Sequence, residues 1–296
     1  MDIKNKTVIR KNLRYETYSG NIDNQKVFVK KLVNPNLRNS LLREISGLIS
    51  MYELDPEEKI YQVPKLISFE NDTLITTWVD GLLMLEKFNE GVVEESVLTL
   101  FNLYKYLDSC TTSGIGITRF NKPDKPSNIQ VTLERLKSVD IGKYIDEDLI
   151  LKLGKLLDTN LPKIETRFTH GDLQPGNIIE GSDNKPVIID CEACSWLYPR
   201  HYNIVNFIFN YCMKYEDSSY LEYLNRYFEY IGMNIEENID LVNFTAGLRV
   251  LHSFDEILLG NTEVAKEHIS SLKMDLFKKI TQNILDEKLF NVEILL

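Results

Sequence analysis

Three polar residues in the second half of the chain have the types and the spacing that phosphoryl transfer requires. Asn177 follows Asp172 by five residues, and Asp190 follows Asn177 by thirteen. A carboxylate can orient and deprotonate an attacking hydroxyl group, and further oxygen ligands can hold Mg²⁺ on the phosphates of a nucleotide. These three residues supply that set of groups within one short stretch.

The segments around these residues predict strands joined by a loop and a turn. Arg167-Phe168-Thr169-His170 precedes Asp172, one apolar run follows Asn177, a second ends just before Asp190, and Gly181–Asn184 between the two runs has the composition of a turn. All three polar side chains then lie at strand ends or in a loop, where they can converge on a ligand. The alternative is a polar turn between two core strands, with no ligand.

The segment Thr169–Ile179 resembles the catalytic loop of the aminoglycoside phosphotransferase and choline kinase-like family. The family loop reads H-G-D, four residues and N, and its metal motif reads I-D-W-E, where this chain has Ile189-Asp190-Cys191-Glu192. The resemblance implies that Asp172 is the catalytic base and that His170 supports the loop. It also implies that Asn177 and Asp190 bind Mg²⁺.

The same resemblance implies an α+β, protein kinase-like, bilobal fold. We expect a small β-rich N-lobe over residues 1–80 and a larger, mostly helical C-lobe over residues 81–296. Antiparallel strands are predicted between residues 7 and 33, and two more at 65–69 and 73–79. In the C-lobe, periodic apolar residues predict helices at 93–107, 218–231 and 241–259, and two shorter ones between 129 and 160.

A lysine and a glutamate of the predicted N-lobe are candidates for holding nucleotide phosphates. Lys30 occupies the position of the family's phosphate-binding lysine, although Lys31 lies next to it and faces the other side of the strand. Glu44 lies on the apolar stripe of a helix predicted at 40–52, and the resemblance implies that it holds Lys30. The alternative is a glutamate at the edge of the stripe that reaches water.

Two further segments are predicted to bind the nucleotide. Ser19 and Gly20 lie where kinases carry a glycine-rich phosphate loop, although a plain hairpin turn is the alternative. Thr77, Trp78 and Val79 resemble the hinge between lobes, where backbone groups would bind adenine. One departure from the family is Asn203, at the place where the family has an aspartate that supports the catalytic loop.

The composition excludes some classes of partner. The 296 residues carry a net charge of −10, which argues against a nucleic-acid partner. From residue 200 onward there are 15 acids and 9 bases, so 15 − 9 = 6 of these net negative charges lie there. Such a field can attract a cationic substrate, although a solvated acidic surface is the alternative. No apolar run reaches the roughly 20 residues of a membrane span, and we expect a cytoplasmic protein.

Two of the four cysteines are spaced C-x-x-C, as Cys191 and Cys194. This spacing is compatible with a redox pair or a zinc site, but a second C-x-x-C is missing and the pair directly follows Asp190. We interpret them as buried thiols that pack like small apolar side chains.

The sequence therefore predicts a small-molecule kinase that uses Mg²⁺ and ATP, with GTP as the alternative nucleotide. The acceptor is expected to be an amino sugar, as in aminoglycoside phosphotransferases, or an amino alcohol. Choline or ethanolamine and homoserine are the alternative acceptors within the family. A different class of function, a nucleotide-binding module with impaired turnover, is suggested by the glycine-poor phosphate loop and by Asn203.

Overall fold

The computed structural model describes residues 2–89, 94–110, 133–134, 146–181, 185–215, 220–259, 271–286 and 288. The chain forms two compact units: residues 1–122 together with 168–196, and residues 123–167 together with 197–296. The loop that carries Asp172 therefore belongs to the same unit as the N-terminal strands. The predicted lobe boundary near residue 80 divides the chain in a different way and stays a prediction.

The N-terminal part of the first unit is an antiparallel sheet of five strands in the order β1-β2-β3-β5-β4. Val27 and Val29 of the central strand are buried against Tyr18 and Ile75, whereas Lys31 is exposed. Two of its turns contain residues in the left-handed region, among them the predicted turn at Asn71-Asp72. The strands are β1 (Lys4–Lys11), β2 (Tyr15–Ile22), β3 (Gln25–Leu32), β4 (Leu66–Glu70) and β5 (Thr73–Thr77).

Helix α1 spans Arg38–Leu54, slightly longer than predicted. Its buried stripe contains Leu41, Glu44, Leu48 and Met51, so the inward position predicted for Glu44 is confirmed. Tyr52, the last residue of the predicted helix, is exposed.

A second, three-stranded sheet in the order β6-β8-β9 carries the segment around the catalytic loop. The predicted succession of strand, loop and strand is confirmed, and residues 182–184 of the predicted turn lie outside the described part of the chain. The strands of this sheet are β6 (Gly81–Leu83), β8 (Ile178–Gly181) and β9 (Pro186–Ile188), whereas β7 (Thr166–Thr169) and β10 (Ser195–Pro199) form a separate two-stranded sheet. Helices α2 (Met84–Asn89) and α3 (Glu94–Ser109) belong to the first unit.

The described part of the second unit is mostly helical. Its helices are α4 (Glu147–Asn160), α5 (Tyr202–Tyr215), α6 (Tyr220–Tyr230), α7 (Ile239–Leu259) and α8 (Ser271–Leu285). Gly232, at φ +72°, follows the end of α6 as predicted. Asn203 lies buried in the first turn of α5. Among the described helices, none is long and apolar enough to cross a membrane.

Candidate active site

A cavity of about 650 Å³ lies within the first unit, between the five-stranded sheet, α1 and the segment around β8 and β9. This volume falls in the range of ordinary small-molecule sites, which is roughly 300–1,000 Å³. Seven of the residues predicted from the sequence line it: Lys30, Glu44, Thr77, Trp78, Val79, Asn177 and Asp190. Tertiary structure thus brings together residues that are up to 160 positions apart in the chain.

Lys30 lies between two carboxylates in this cavity. Its Nζ is 2.6 Å from Glu44 Oε2 and 3.1 Å from Asp190 Oδ1. The Lys30 and Glu44 side chains are more than nine-tenths buried, whereas the Asp190 side chain is 49% exposed. Glu44 therefore contacts the Lys30 ammonium group from the buried side, and Asp190 contacts it from the side that is open to solvent and ligands.

Burial and neighbouring charges shift the ionisation of both partners. Burial raises the pKa of Glu44 to about 7, with the Lys30 ammonium opposing that rise and the Asp190 carboxylate adding to it. Burial alone would lower the pKa of Lys30, but the charges of Glu44 and Asp190 outweigh it and raise that pKa. Lys30 is therefore a permanent cation in the cavity, as a phosphate-binding group must be.

Asn177 organises the loop that carries Asp172. Its Nδ2 donates hydrogen bonds to the backbone carbonyl oxygen of Asp172 at 2.8 Å and to Asp172 Oδ2 at 2.9 Å. Gln174 Nε2 donates a further bond to Oδ2 at 3.3 Å. These donors fix the orientation of the Asp172 carboxylate, and they leave Asn177 Oδ1 as the atom with which the amide can bind a cation.

The base of the loop is attached to buried neighbours. His170 is fully buried, and its Nε2 donates to the carbonyl oxygen of Ile189 at 3.1 Å, which connects the end of β7 to the residue before Asp190. The hydroxyl of Tyr104, from α3, donates to the Leu173 carbonyl oxygen at 2.9 Å. His170 therefore lies behind the loop, where it can position Asp172 and Asp190 without facing the cavity.

The oxygen atoms at one end of the cavity fit Mg²⁺. Carboxylate oxygens of Glu44, Asp190 and Glu192 lie within 4.8 Å of one another, and Asn177 lines the same cavity. Hard oxygen ligands of this kind are those that Mg²⁺ takes together with nucleotide phosphates. Asp190 has φ +57°, a left-handed conformation that turns the chain sharply between β9 and the following helical turn.

The three residues of the predicted hinge, Thr77, Trp78 and Val79, line the cavity, and two of their three amides are already engaged. The Thr77 amide donates to the Lys65 carbonyl oxygen at 2.9 Å, and the Trp78 amide donates to the Lys26 carbonyl oxygen at 3.3 Å. The indole of Trp78 is oriented by Asp80 Oδ1 at 2.7 Å. Val79 is the next residue along the lining.

Ser19 and Gly20 are not among the residues that line the cavity. They lie in the middle of β2, where an added Cβ at Gly20 would come within 2.4 Å of the Ile3 side chain, so this glycine fits a packing contact in the sheet. The turn that lines the cavity joins β1 to β2 and contains Asn12 and Arg14, one hairpin earlier than predicted. The phosphate loop was predicted from the presence of a glycine, and the β1–β2 turn contains none.

Arg14 is a site residue that sequence reasoning missed. Its Nη2 is 2.9 Å from Glu192 Oε1 and 3.1 Å from Ser40 Oγ. Burial would raise the pKa of Glu192, but the Ser40 hydroxyl and the Arg14 guanidinium outweigh it and lower that pKa. Asn12, whose Oδ1 accepts from the Arg14 and Tyr15 amides, was the available sequence signal, because asparagine often forms such turns.

Comparison with protein families gives one match over most of the chain. The model of the phosphotransferase enzyme family matches residues 15–235, which include every candidate site residue named above except Asn12 and Arg14. No curated protein sequence matches this chain significantly.

Solved structures with the same fold have low sequence identity to this chain. A mutant of aminoglycoside phosphotransferase APH(4)-Ia, with ADP and hygromycin B, has a TM-score of 0.64 at 9% identity and covers 94% of each chain. APH(2")-IIa, with streptomycin and ATP, has 0.60 at 16%, over 98% of this chain and 94% of its own. A Plasmodium vivax ethanolamine kinase has 0.61 at 16%, over 96% and 82%. The predicted protein kinase-like fold is confirmed.

Proposed function

Because the chain belongs to the phosphotransferase enzyme family, we propose that it transfers the γ-phosphoryl group of ATP to a hydroxyl group of a small molecule. The observation that carries the proposal is the cavity in which Lys30, paired with Glu44, meets Asn177 and Asp190. These are the groups that phosphoryl transfer needs to hold nucleotide phosphates. Asp172 is not among the residues that line the cavity, but Asn177, which does line it, donates to the Asp172 carboxylate at 2.9 Å.

Asp172 is the proposed catalytic base. It accepts the proton of the acceptor hydroxyl while its carboxylate orients that hydroxyl towards the γ-phosphorus. The two amide donors on Oδ2 hold the carboxylate in one orientation. His170 is proposed as a positioning residue, since it bonds the residue before Asp190 and is buried.

Lys30 is proposed to bind the α- and β-phosphates, while Glu44 keeps its ammonium group in place. Asp190 and Asn177 are proposed to hold Mg²⁺, which when bound neutralises charge on the phosphate oxygens. Asp190 pairs with Lys30 from its exposed side, so its second carboxylate oxygen is the one that can turn to a metal ion. Arg14 adds another cationic side chain to the lining, near the proposed phosphates.

The nucleotide base is proposed to lie against the hinge. With the Thr77 and Trp78 amides engaged, the Val79 amide is the proposed donor to the base. ATP is the proposed nucleotide and GTP is the alternative. The two bases differ in the donors and acceptors on the ring edge that a hinge amide contacts. The structures with nucleotides among the similar proteins support nucleotide binding at this site.

A cationic acceptor, an amino sugar in the first place, is the proposed substrate. The excess of six negative charges after residue 199 supports it, because such a field raises the local concentration of cations. The similar structures with hygromycin B and streptomycin support an amino sugar. The ethanolamine kinase, at comparable similarity, supports an amino alcohol as the second candidate.

A phosphorylation assay tests the proposal. Purified protein would be incubated with Mg²⁺, ATP or GTP, and single acceptors from a panel of aminoglycosides, choline, ethanolamine and homoserine, with phosphorylated product measured by mass spectrometry. We expect turnover on one acceptor class. Asp172→Ala should lower turnover by ~10²–10⁴ and leave nucleotide affinity nearly unchanged, while Lys31→Met, with an exposed side chain, should match the parent.

The outcomes separate the alternatives. Mg-nucleotide binding without turnover on any acceptor of the panel would favour the nucleotide-binding module. No nucleotide binding by calorimetry would contradict the proposed site. Full turnover by Asp172→Ala would remove that residue from the role of base.

A further inference from the structure

A buried group of sulfur and nitrogen atoms lies behind the catalytic loop, on the side away from the cavity. A ring nitrogen of His170 and the thiols of Cys191 and Cys194 lie within 4.8 Å of one another. His170 and Cys191 are fully buried, and Cys194 is 6% exposed. None of the three lines the nucleotide cavity.

The chain forms this group through two local features. His170 and Cys191 each follow the end of a core strand, and the His170 bond to the Ile189 carbonyl oxygen holds these two strand ends together. Residues 191–193 then form a single helical turn, closed by the Cys194 amide bonding to the Cys191 carbonyl oxygen at 3.2 Å. The turn brings the second thiol back beside the first.

The tautomer of His170 leaves one nitrogen available for a ligand. A carbonyl oxygen only accepts, so Nε2 must carry the proton that it shares with Ile189. Nδ1 then has a lone pair, and it is buried with no nitrogen or oxygen partner among the described residues; the side chain that bonds to the ring here is the Cys191 thiol. A thiol is only a weak hydrogen-bond donor.

This arrangement is that of metal-binding histidines, which donate one ring proton to a carbonyl or carboxylate and ligate with the other nitrogen. Two thiols and an imidazole are the donors that thiophilic cations prefer, and Zn²⁺ and Cu⁺ are the commonest of these in proteins. Because two thiols and the imidazole offer no hard oxygen ligand, Mg²⁺ is excluded here.

We propose that His170, Cys191 and Cys194 form a binding site for one thiophilic cation, Zn²⁺ or Cu⁺, separate from the proposed Mg²⁺ site. On coordination each thiol gives its proton to solvent, and His170 Nδ1 binds the ion through its lone pair. The ion ties the residue after β7 to the residues after β9. It therefore supports Asp172 and Asp190 from behind and takes no part in the reaction.

The test measures metal uptake by the full chain. Protein that has been reduced and stripped with a chelator would be titrated with Zn²⁺, or with Cu⁺ in competition with a colorimetric Cu⁺ chelator, and bound metal would be measured by elemental analysis. We expect one ion per chain, and the two titrations identify which cation binds more tightly. Co²⁺ in place of Zn²⁺ should show thiolate-to-metal charge-transfer absorption.

Matched variants locate the site. Cys191→Ser and Cys194→Ser should each weaken binding by at least about 100-fold, since even the loss of a supporting contact costs roughly 10–100-fold. Cys110→Ser is the control, because that half-buried thiol bonds to the Tyr106 carbonyl oxygen and should not contribute. If a serine variant fails to fold, the unmodified chain still provides a test: bound metal should protect Cys191 and Cys194 from alkylation, with Cys110 labelled as before.

Three results would overturn the proposal. They are no metal uptake by the reduced parent protein, equal uptake by the Cys191→Ser and Cys194→Ser variants, and alkylation of both thiols at an unchanged rate in saturating metal.

Discussion

Removal of the Lys30 cation should destabilise the protein much more than removal of its partner Glu44. Lys30→Met leaves the carboxylates of Glu44, Asp190 and Glu192 within 4.8 Å of one another and without the central ammonium group. Glu44→Gln, in contrast, leaves Lys30 paired with Asp190 at 3.1 Å. The two variants of one ion pair are therefore not equivalent.

The magnitudes follow from burial and distance. At 2.6 Å the Lys30–Glu44 attraction is about 6 kcal/mol at an effective dielectric constant of 20, before the cost of removing both groups from water. Loss of one partner of a buried pair typically costs ~3–5 kcal/mol, which we expect for Lys30→Met. For Glu44→Gln we expect ~1–2 kcal/mol, the contribution of a charged hydrogen bond.

The double variant Lys30→Met/Glu44→Gln should be more stable than Lys30→Met alone, because position 44 then has no carboxylate that must either be buried with its charge or take up a proton. Urea unfolding followed by circular dichroism measures all three variants. Lys31→Met is the control: the side chain is exposed on the opposite face of β3, and its removal should change the unfolding free energy by less than ~0.5 kcal/mol.

Two results would refute this reasoning. One is a Lys30→Met variant as stable as Lys31→Met, and the other is a double variant no more stable than Lys30→Met. Calorimetry on the same proteins gives an independent readout, since Lys30→Met should also weaken Mg-ATP binding and Lys31→Met should not.

Three further perturbations test other parts of the site. Because the pKa of Glu44 is raised to about 7, the nucleotide-free folded protein keeps a proton between pH 4.5 and 7 that the unfolded chain releases. The unfolding free energy of the protein should therefore fall as the pH rises through this range, by up to ~1.4 kcal/mol per pH unit. The Glu44→Gln variant should lack this slope. Gly47→Ala should destabilise the protein by ~1–3 kcal/mol in urea unfolding, because the added Cβ would lie 2.0 Å from the Cys191 carbonyl oxygen. Gly176→Ala, whose added Cβ would have its nearest contact at 3.7 Å, should be tolerated. Arg14→Gln should weaken Mg-ATP binding by roughly 5–10-fold in calorimetry, the value of one charge-assisted contact, and unchanged affinity would separate this turn from the phosphates.

The strands, the buried face of α1 and the loop between Asp172 and Asn177 could be predicted from the sequence, because each is specified by residues close together in the chain. Alternating apolar residues around Val27 and Val29 specify a strand with one buried face, and the stripe with Leu41 and Leu48 places Glu44 inward on α1. The spacing of Asp172 and Asn177 specifies a loop in which the amide can reach the carboxylate. Each of these features depends on residues a few positions apart, whose geometry the backbone itself determines.

Contacts between distant segments required the tertiary structure. Arg14 and Glu192 are 178 positions apart, and periodicity shows which face of an element is apolar but not which remote turn packs beside it. The phosphate loop was predicted at Gly20 because the sequence shows a glycine there. The sequence does not show that the β1–β2 turn lies at the cavity. The C-x-x-C pair lacked a third ligand until the fold brought His170 to it. Burial then left the imidazole Nδ1 beside the two thiols and without a nitrogen or oxygen partner among the described residues, and only packing could create that condition.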